Sequence, residues 1–202
     1  DCLLTIVMPS YNIQDYISKG LESFQQVHPD YKNKFEVLVV NDGSTDDTAL
    51  VAEKILAKDS LLDGRVITKE NGGHGSTINR CIQEAKGKFF KVIDGDDWVI
   101  PSEFEKFLDT LETVDVDMVI TDFTEQHVYN NTTVRNDFVD KYEIGKKHKG
   151  IPDVRIPMHS VTYKTSILSE NKIRLSEKTF YVDIQYTLFP LEYVHSFSYW
   201  NY

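Results

Sequence analysis

The sequence predicts an α/β fold with a mainly parallel sheet covered by helices on both faces. Two observations carry this. Apolar runs of strand length alternate four times with segments of helical periodicity before residue 122, the signature of strands joined by crossover helices. The runs are continuous rather than alternating apolar and polar, as expected of strands buried on both sides. At 202 residues and 41% hydrophobic composition, the chain can bury one sizeable core.

Leu3 to Met8 (LLTIVM) is a short apolar run stopped by Pro9 and reads as the first strand. After PSYN, residues Ile13, Ile17, Leu21 and Phe24 fall at steps of four, four and three, which predicts an amphipathic helix. Phe35 to Val40 (FEVLVV) is the second strand, broken by NDGSTDD. Ser44 or Thr45 there can cap a helix whose face carries Val51, Ala52, Ile55 and Leu56. Arg65 to Thr68 is the third strand, followed by the glycine loop NGGHG and a helix through Ile78, Ile82 and Ala85 that Gly87 can terminate. Phe89 to Ile93 is the fourth strand. DGDDW follows, then a helix with Phe104, Phe107, Leu108 and Leu111 on one side, then a fifth strand at Met118 to Thr121.

Beyond Asp122 the rhythm fails. Asn130 to Pro157 is polar and mixed in charge, and reads as a surface excursion, with a substrate-binding insert as the alternative. Regular signals return at Ser160 to Lys164 (SVTYK), in a helix after Tyr181 and in the alternating HSFSYW. With no repeat, low-complexity tract or linker, one domain over residues 1–202 is expected.

A formal net charge of −10 excludes a general nucleic-acid binder, whose affinity comes from clustered Lys and Arg. An anionic ligand must be held locally, by backbone N–H groups, a few cations or a metal. No run approaches the roughly 18 apolar residues of a membrane span, and no basic-then-apolar leader opens the chain. The chain begins at Asp1 rather than Met, so a fragment is expected. Cys2 and Cys81 lie far apart with no C-x-x-C spacing and read as free thiols in a reducing compartment.

In open α/β sheets ligands bind outside the carboxyl ends of the strands, so PSYN, NDGSTDD, ENGGHG and DGDDW should share one rim. One aspartate of DGDDW is accounted for as a helix cap. Three carboxylates, Asp94, Asp96 and Asp97, at the end of a buried strand fit a hard divalent cation better, because Mg²⁺ and Mn²⁺ take oxygen ligands and bridge phosphates. The dinucleotide fingerprint G-x-G-x-x-G and the P-loop are both absent. At NDGST the nucleophile position of an aspartyl-phosphatase is Val40, and a nucleotidyltransferase's Arg-containing glycine loop is missing after strand one.

TIVMPSYN, VLVVNDGSTDDT, NGGHGSTIN and KVIDGDDW, in this order and near these spacings, resemble the family 2 inverting glycosyltransferases with the GT-A fold. The similarity is strong over residues 3 to about 125 and weak beyond. It implies a Rossmann-like nucleotide-sugar-binding half at 1–125 and a smaller, irregular acceptor-side half at 126–202. Further elements are expected beyond Tyr202. The implied activity is metal-dependent transfer of a sugar, with inversion, from a nucleotide-sugar donor, UDP-linked by family habit, to an acceptor hydroxyl. The family's habit is bacterial envelope or capsule polysaccharide synthesis, with a glycan or lipid-linked acceptor. The enzyme is placed in the cytoplasm or at the inner face of the membrane.

Residue by residue, the resemblance implies that Pro9, Tyr11 and Asp42 line the base and ribose pocket, although Asp42 can equally cap the NDGS turn. Asn71, Gly72 and Gly73 form a close-approach loop, and Asp94 contacts ribose or uracil. Asp96 ligates Mn²⁺ or Mg²⁺, and Asp97 either supports the metal or caps the next helix. The family's Arg-Asn pair reads Ile78-Asn79 here, which removes the expected arginine, and His74 reads as a solvent-facing loop residue. In KTFYVDIQYTLFPL, Asp183 matches the general base while Val182 stands where the family has Glu; Glu177 is the alternative base. His159 reads as a structural strand-start residue. Two competing readings are a nucleotide-sugar-binding module that has lost catalysis and a metal-dependent phosphohydrolase.

Overall fold

The computed structural model describes residues 1–202. The first half alternates as expected: β1 (Leu4–Ser10), α1 (Ile17–Gln25), β2 (Phe35–Asp42), α2 (Thr48–Leu56), β3 (Asp63–Lys69), α3 (His74–Glu84), β4 (Phe89–Val92), α4 (Pro101–Thr113) and β5 (Met118–Thr121). The second half adds β6 (Phe123–His127), β7 (Thr132–Asn136), β8 (Lys147–Lys149), β9 (Val161–Lys164), α5 (Thr165–Glu170), α6 (Val182–Leu188) and β10 (Ser196–Trp200). The expected α/β architecture is observed. No helix is long and apolar enough to cross a membrane.

Eight strands form one sheet in the order β3-β2-β1-β4-β9-β5-β10-β8. Strands β1 to β4 pair in parallel, as do β5 and β10, while β9 runs antiparallel between β4 and β5. Successive residues of β1 bury on opposite faces: Val7 joins α3, α5 and α6 in one core, and Ile6 and Met8 join α1, α2 and α4 in the other. This two-sided burial, worth about 1.5–3 kcal/mol per large aliphatic side chain, is the reason the strands read as unbroken apolar runs.

Three local expectations are corrected. Neither Ser44 nor Thr45 caps α2: the N-cap position is Asp47, and Asp46 just before it accepts through Oδ1 from Thr48 N at 3.0 Å and Thr48 Oγ1 at 2.6 Å. Gly87 does not end α3, which stops at Ala85 in extended backbone. Gly87 is instead a contact point with β1, where an added Cβ would lie 2.4 Å from Thr5 N. The polar stretch from 130 to 157 is also more than an excursion. It contributes β7, which pairs with β6 in a separate hairpin, and β8, which closes the sheet edge against β10. Tyr142 and Ile156 from this stretch are buried in the core.

Candidate active site

The motif loops do gather at the carboxyl ends of β1 to β4, and hydrogen bonds lace them together. Asn12, in the left-handed region at φ 49°, accepts from Thr45 N through Oδ1 at 2.8 Å and donates its own N–H to Ser44 Oγ at 3.0 Å. Tyr11 stands half exposed beside this junction. Pro9 is buried within β1, and its carbonyl accepts from Gly95 N at 3.0 Å. The approach at Gly95 is close: a Cβ there would lie 2.4 Å from both Ser10 Oγ and Ile13 Cδ1, so a larger residue would displace those side chains.

Asp42, at the end of β2, is 3% exposed. Its Oδ1 accepts from Gly72 N at 2.9 Å and Lys69 Nζ at 2.8 Å, and its Oδ2 from Gly73 N at 2.9 Å. Asn71 Nδ2 donates to the Asp42 carbonyl at 2.9 Å. Asp42, Asn71, Gly72 and Gly73 are thus brought together, and the loop closes around the carboxylate rather than standing open with free N–H groups. The buried charge is matched by Lys69, as burial demands.

Asp94 and Asp97 face the same side of the turn after β4, because Asp97 N donates to Asp94 O at 2.9 Å and an i to i+3 turn brings its ends together. A ligand atom from each of Asp94, Asp97 and His159 lies within 4.8 Å of the others. Asp96 is exposed and outside this group. His74 is not a solvent-facing loop residue: it opens α3, and its Nε2 lies 2.8 Å from Asp94 Oδ1. Burial, reinforced by the Asp94 and Asp96 carboxylates, pushes Asp97 up to about 6. Beneath the group, Lys91 Nζ donates to the His159 carbonyl at 2.8 Å, and burial pulls Lys91 down to about 8. His159 also packs its ring 5.1 Å from Phe123.

A cleft of about 690 Å³ opens beside these groups, lined among others by His74, Asp94, Arg155, His159, Phe180, Tyr181 and Asp183. Asp183 lies in the first turn of α6, with Arg155 Nη2 4.0 Å from its Oδ2. Val182, beside it in the same lining, is buried; an added Cβ on Gly75 of α3 would meet its Cγ1 at 3.2 Å. Glu177 lies outside the cleft lining, bound to Asn79 Nδ2 and Arg174. Pro9, Tyr11, Asp42 and Asn71 are likewise outside it, on the neighbouring rim. Sequence reasoning missed Arg155. Its only signal was a permanent cation held between Pro152 and Pro157, four residues before His159.

Two carboxylates and an imidazole form a donor set that fits a divalent cation, with the ring nitrogen tilting preference toward a first-row ion such as Mn²⁺. The cleft can hold a small-molecule ligand, and the half-exposed Asp183 can act on it as an acid or base.

Comparison with known proteins agrees with this geometry. The family model described as glycosyl transferase family 2 matches residues 5–172. EpsH of Bacillus subtilis (strain 168), named as a glycosyltransferase, is 31% identical over 140 residues, 69% of this chain and 39% of that one. TarS of S. aureus, solved in complex with UDP-GlcNAc, superposes with a TM-score of 0.73 at 20% identity, over 99% of this chain and 59% of that one. A mannosyltransferase of Pyrobaculum calidifontis, PcManGT, solved with GDP-Man and Mn²⁺, gives 0.72 at 18% identity over 98% and 54%. The chain spans between about 39% and 59% of the length of these proteins. With the ordered motifs, the fold and the family match in agreement, the chain belongs to glycosyltransferase family 2 and carries its GT-A domain.

Proposed function

We propose that this domain transfers a sugar, with inversion and with the help of a divalent metal, from a UDP-linked donor to an acceptor hydroxyl. The single observation that carries the reading is the convergence of Asp94, Asp97 and His159 beside a cleft that also holds Asp183. Asp97, Asp94 and His159 would hold Mn²⁺ or Mg²⁺, with Asp96 as an exposed carboxylate beside them. When bound, the metal supplies positive charge against the departing diphosphate. Tyr11 offers a ring for the base, and Asp42 acts indirectly by holding Asn71, Gly72 and Gly73 in place on the nucleotide rim. Asp183 takes the proton of the attacking hydroxyl, and Arg155 keeps its carboxylate oriented. Relatives solved with UDP-GlcNAc and with GDP-Man and Mn²⁺ support donor and metal classes of this kind.

The acceptor is read as a glycan or lipid-linked glycan in bacterial envelope or capsule polysaccharide synthesis. The location follows from the sugar-nucleotide pool: the cytoplasm or the inner face of the membrane. A thermal-shift panel of UDP, GDP and their sugars, with and without Mn²⁺, tests the reading, because a ligand that binds the native state raises the midpoint by mass action. A midpoint unmoved by every nucleotide overturns it.

A further inference from the structure

We propose that Phe180 and Tyr181 form a stacking platform for a neutral pyranose ring of the acceptor, at the lip of the cleft that holds Asp183. This rests on the glycosyl-transfer reading above and adds the residues that would hold the acceptor sugar and the face of it they would take. The two adjacent rings are 87% and 78% exposed, and both line the cleft together with Asp183. Burying such rings against the core would be favourable, so a fold that holds two of them in water beside a catalytic group leaves their faces for a ligand.

Their exposure is built in. Tyr181 sits at φ 63°, a conformation that bulky residues seldom adopt, and Lys178 at φ 55°. The root of the segment is pinned to the donor half. Lys178 N donates to Gly72 O at 2.7 Å, and Asn79 grips Leu175 at both backbone atoms, accepting from its N at 2.8 Å and donating to its O at 2.9 Å. The aromatic pair is therefore carried on an anchored turn immediately before the helix that bears Asp183.

A pyranose offers an apolar C–H face for the rings and a hydroxyl edge for polar neighbours, and the lining supplies Asn136 and Glu125 for that edge. Charge argues against a phosphate-bearing acceptor such as a polyol phosphate. Among the lining residues three carboxylates, Asp94, Glu125 and Asp183, face one permanent cation, Arg155, and that cation is already beside Asp183. A phosphate-bearing acceptor would find little uncommitted positive charge there.

Saturation-transfer NMR on the chain with UDP and Mg²⁺ tests this, using methyl β-D-glucopyranoside and methyl N-acetyl-β-D-glucosaminide as pyranose probes and glycerol 1-phosphate as the polyol-phosphate probe. The expected result is transfer to the pyranosides, concentrated on the protons of one ring face, that falls at least about fivefold in Phe180→Ala/Tyr181→Ala. Phe180→Leu, which keeps apolar bulk but not the ring, should also weaken it. Equal transfer in wild type and both variants overturns the proposal. So does a stronger response of glycerol 1-phosphate that is lost in Arg155→Ala. If UDP and Mg²⁺ raise the wild-type thermal midpoint and no pyranoside saturates, this inference fails alone; with no midpoint shift, the glycosyl-transfer reading fails first.

Discussion

Asp42 and Asp183 were both drawn from motifs, and the two halves of the domain use them in opposite ways. Asp42, in the first half, is 3% exposed, and its carboxylate is taken up by Lys69 and the N–H groups of Gly72 and Gly73. Asp183, in the second half, has a side chain 50% exposed and meets one charge, Arg155, at 4.0 Å. A carboxylate whose lone pairs are filled by the protein builds structure, whereas one left open beside a cleft can exchange a proton. The first half thus presents a set rim, and the second half carries an open carboxylate.

The sharpest way to break this contrast is Asp183→Asn. Turnover should fall about 10³-fold, the range for loss of a general base, while the thermal midpoint stays within about 1 °C because an exposed side chain contributes little to stability. Full activity in the variant would move the base elsewhere. Asp42→Ala should do the reverse. Leaving Lys69 without its partner costs about 3 kcal/mol, read as a lower urea midpoint, and activity is lost along with the fold.

Asn79→Ala probes the seam between the halves. It strips the Leu175 N–H and C=O of partners, so a loss of about 2 kcal/mol is expected, with faster hydrogen exchange at Leu175. Unchanged exchange would mean that the segment from Leu175 to Tyr181 is held from elsewhere.

The smallest effect is at Asp97, whose carboxyl is raised to about 6 in the folded chain against about 4 when unfolded. Between those values the unfolded chain releases a proton that the folded chain retains. The group's stabilising contribution is therefore full below about pH 4 and lost as pH rises through 6. In EDTA, Asp97→Asn should raise the midpoint at pH 7 by about 2 °C and less at pH 4. It should also abolish any shift produced by Mn²⁺. A lower midpoint at pH 7 would mean the ionised carboxylate is stabilising.

Legibility followed the same divide. The strands β1 to β5 and helices α1 to α4 were readable because each carries its own burial pattern, as Ile17, Leu21 and Phe24 do on α1. The place of β5 in the sheet was not: β9, from much later in the chain, comes between it and β4. Thr162 of β9 pairs with Lys91 and with Val119 across a long stretch of chain, and no local pattern records such a pairing. The candidate metal ligands were partly readable. D-x-D-D announces a cation, but Asp94 and Asp97 are selected by the turn, and His159 arrives from the start of β9. Val182 is 4% exposed and packs toward Gly75, a place where a carboxylate would have to find a partner to be buried.

By itself the sequence determined the α/β class, the order of the first nine elements, the rim of motif loops and the family. All of these depend on local periodicity and on short residue sets that stay together along the chain. Tertiary structure alone decided that Asp42 is enclosed, that Asp96 stands apart while His74 and His159 come in, that Arg155 meets Asp183, and that Phe180 and Tyr181 face the cleft. Each depends on the burial and distance of side chains from separate elements, and those are set only when the sheet closes and its loops are packed against one another.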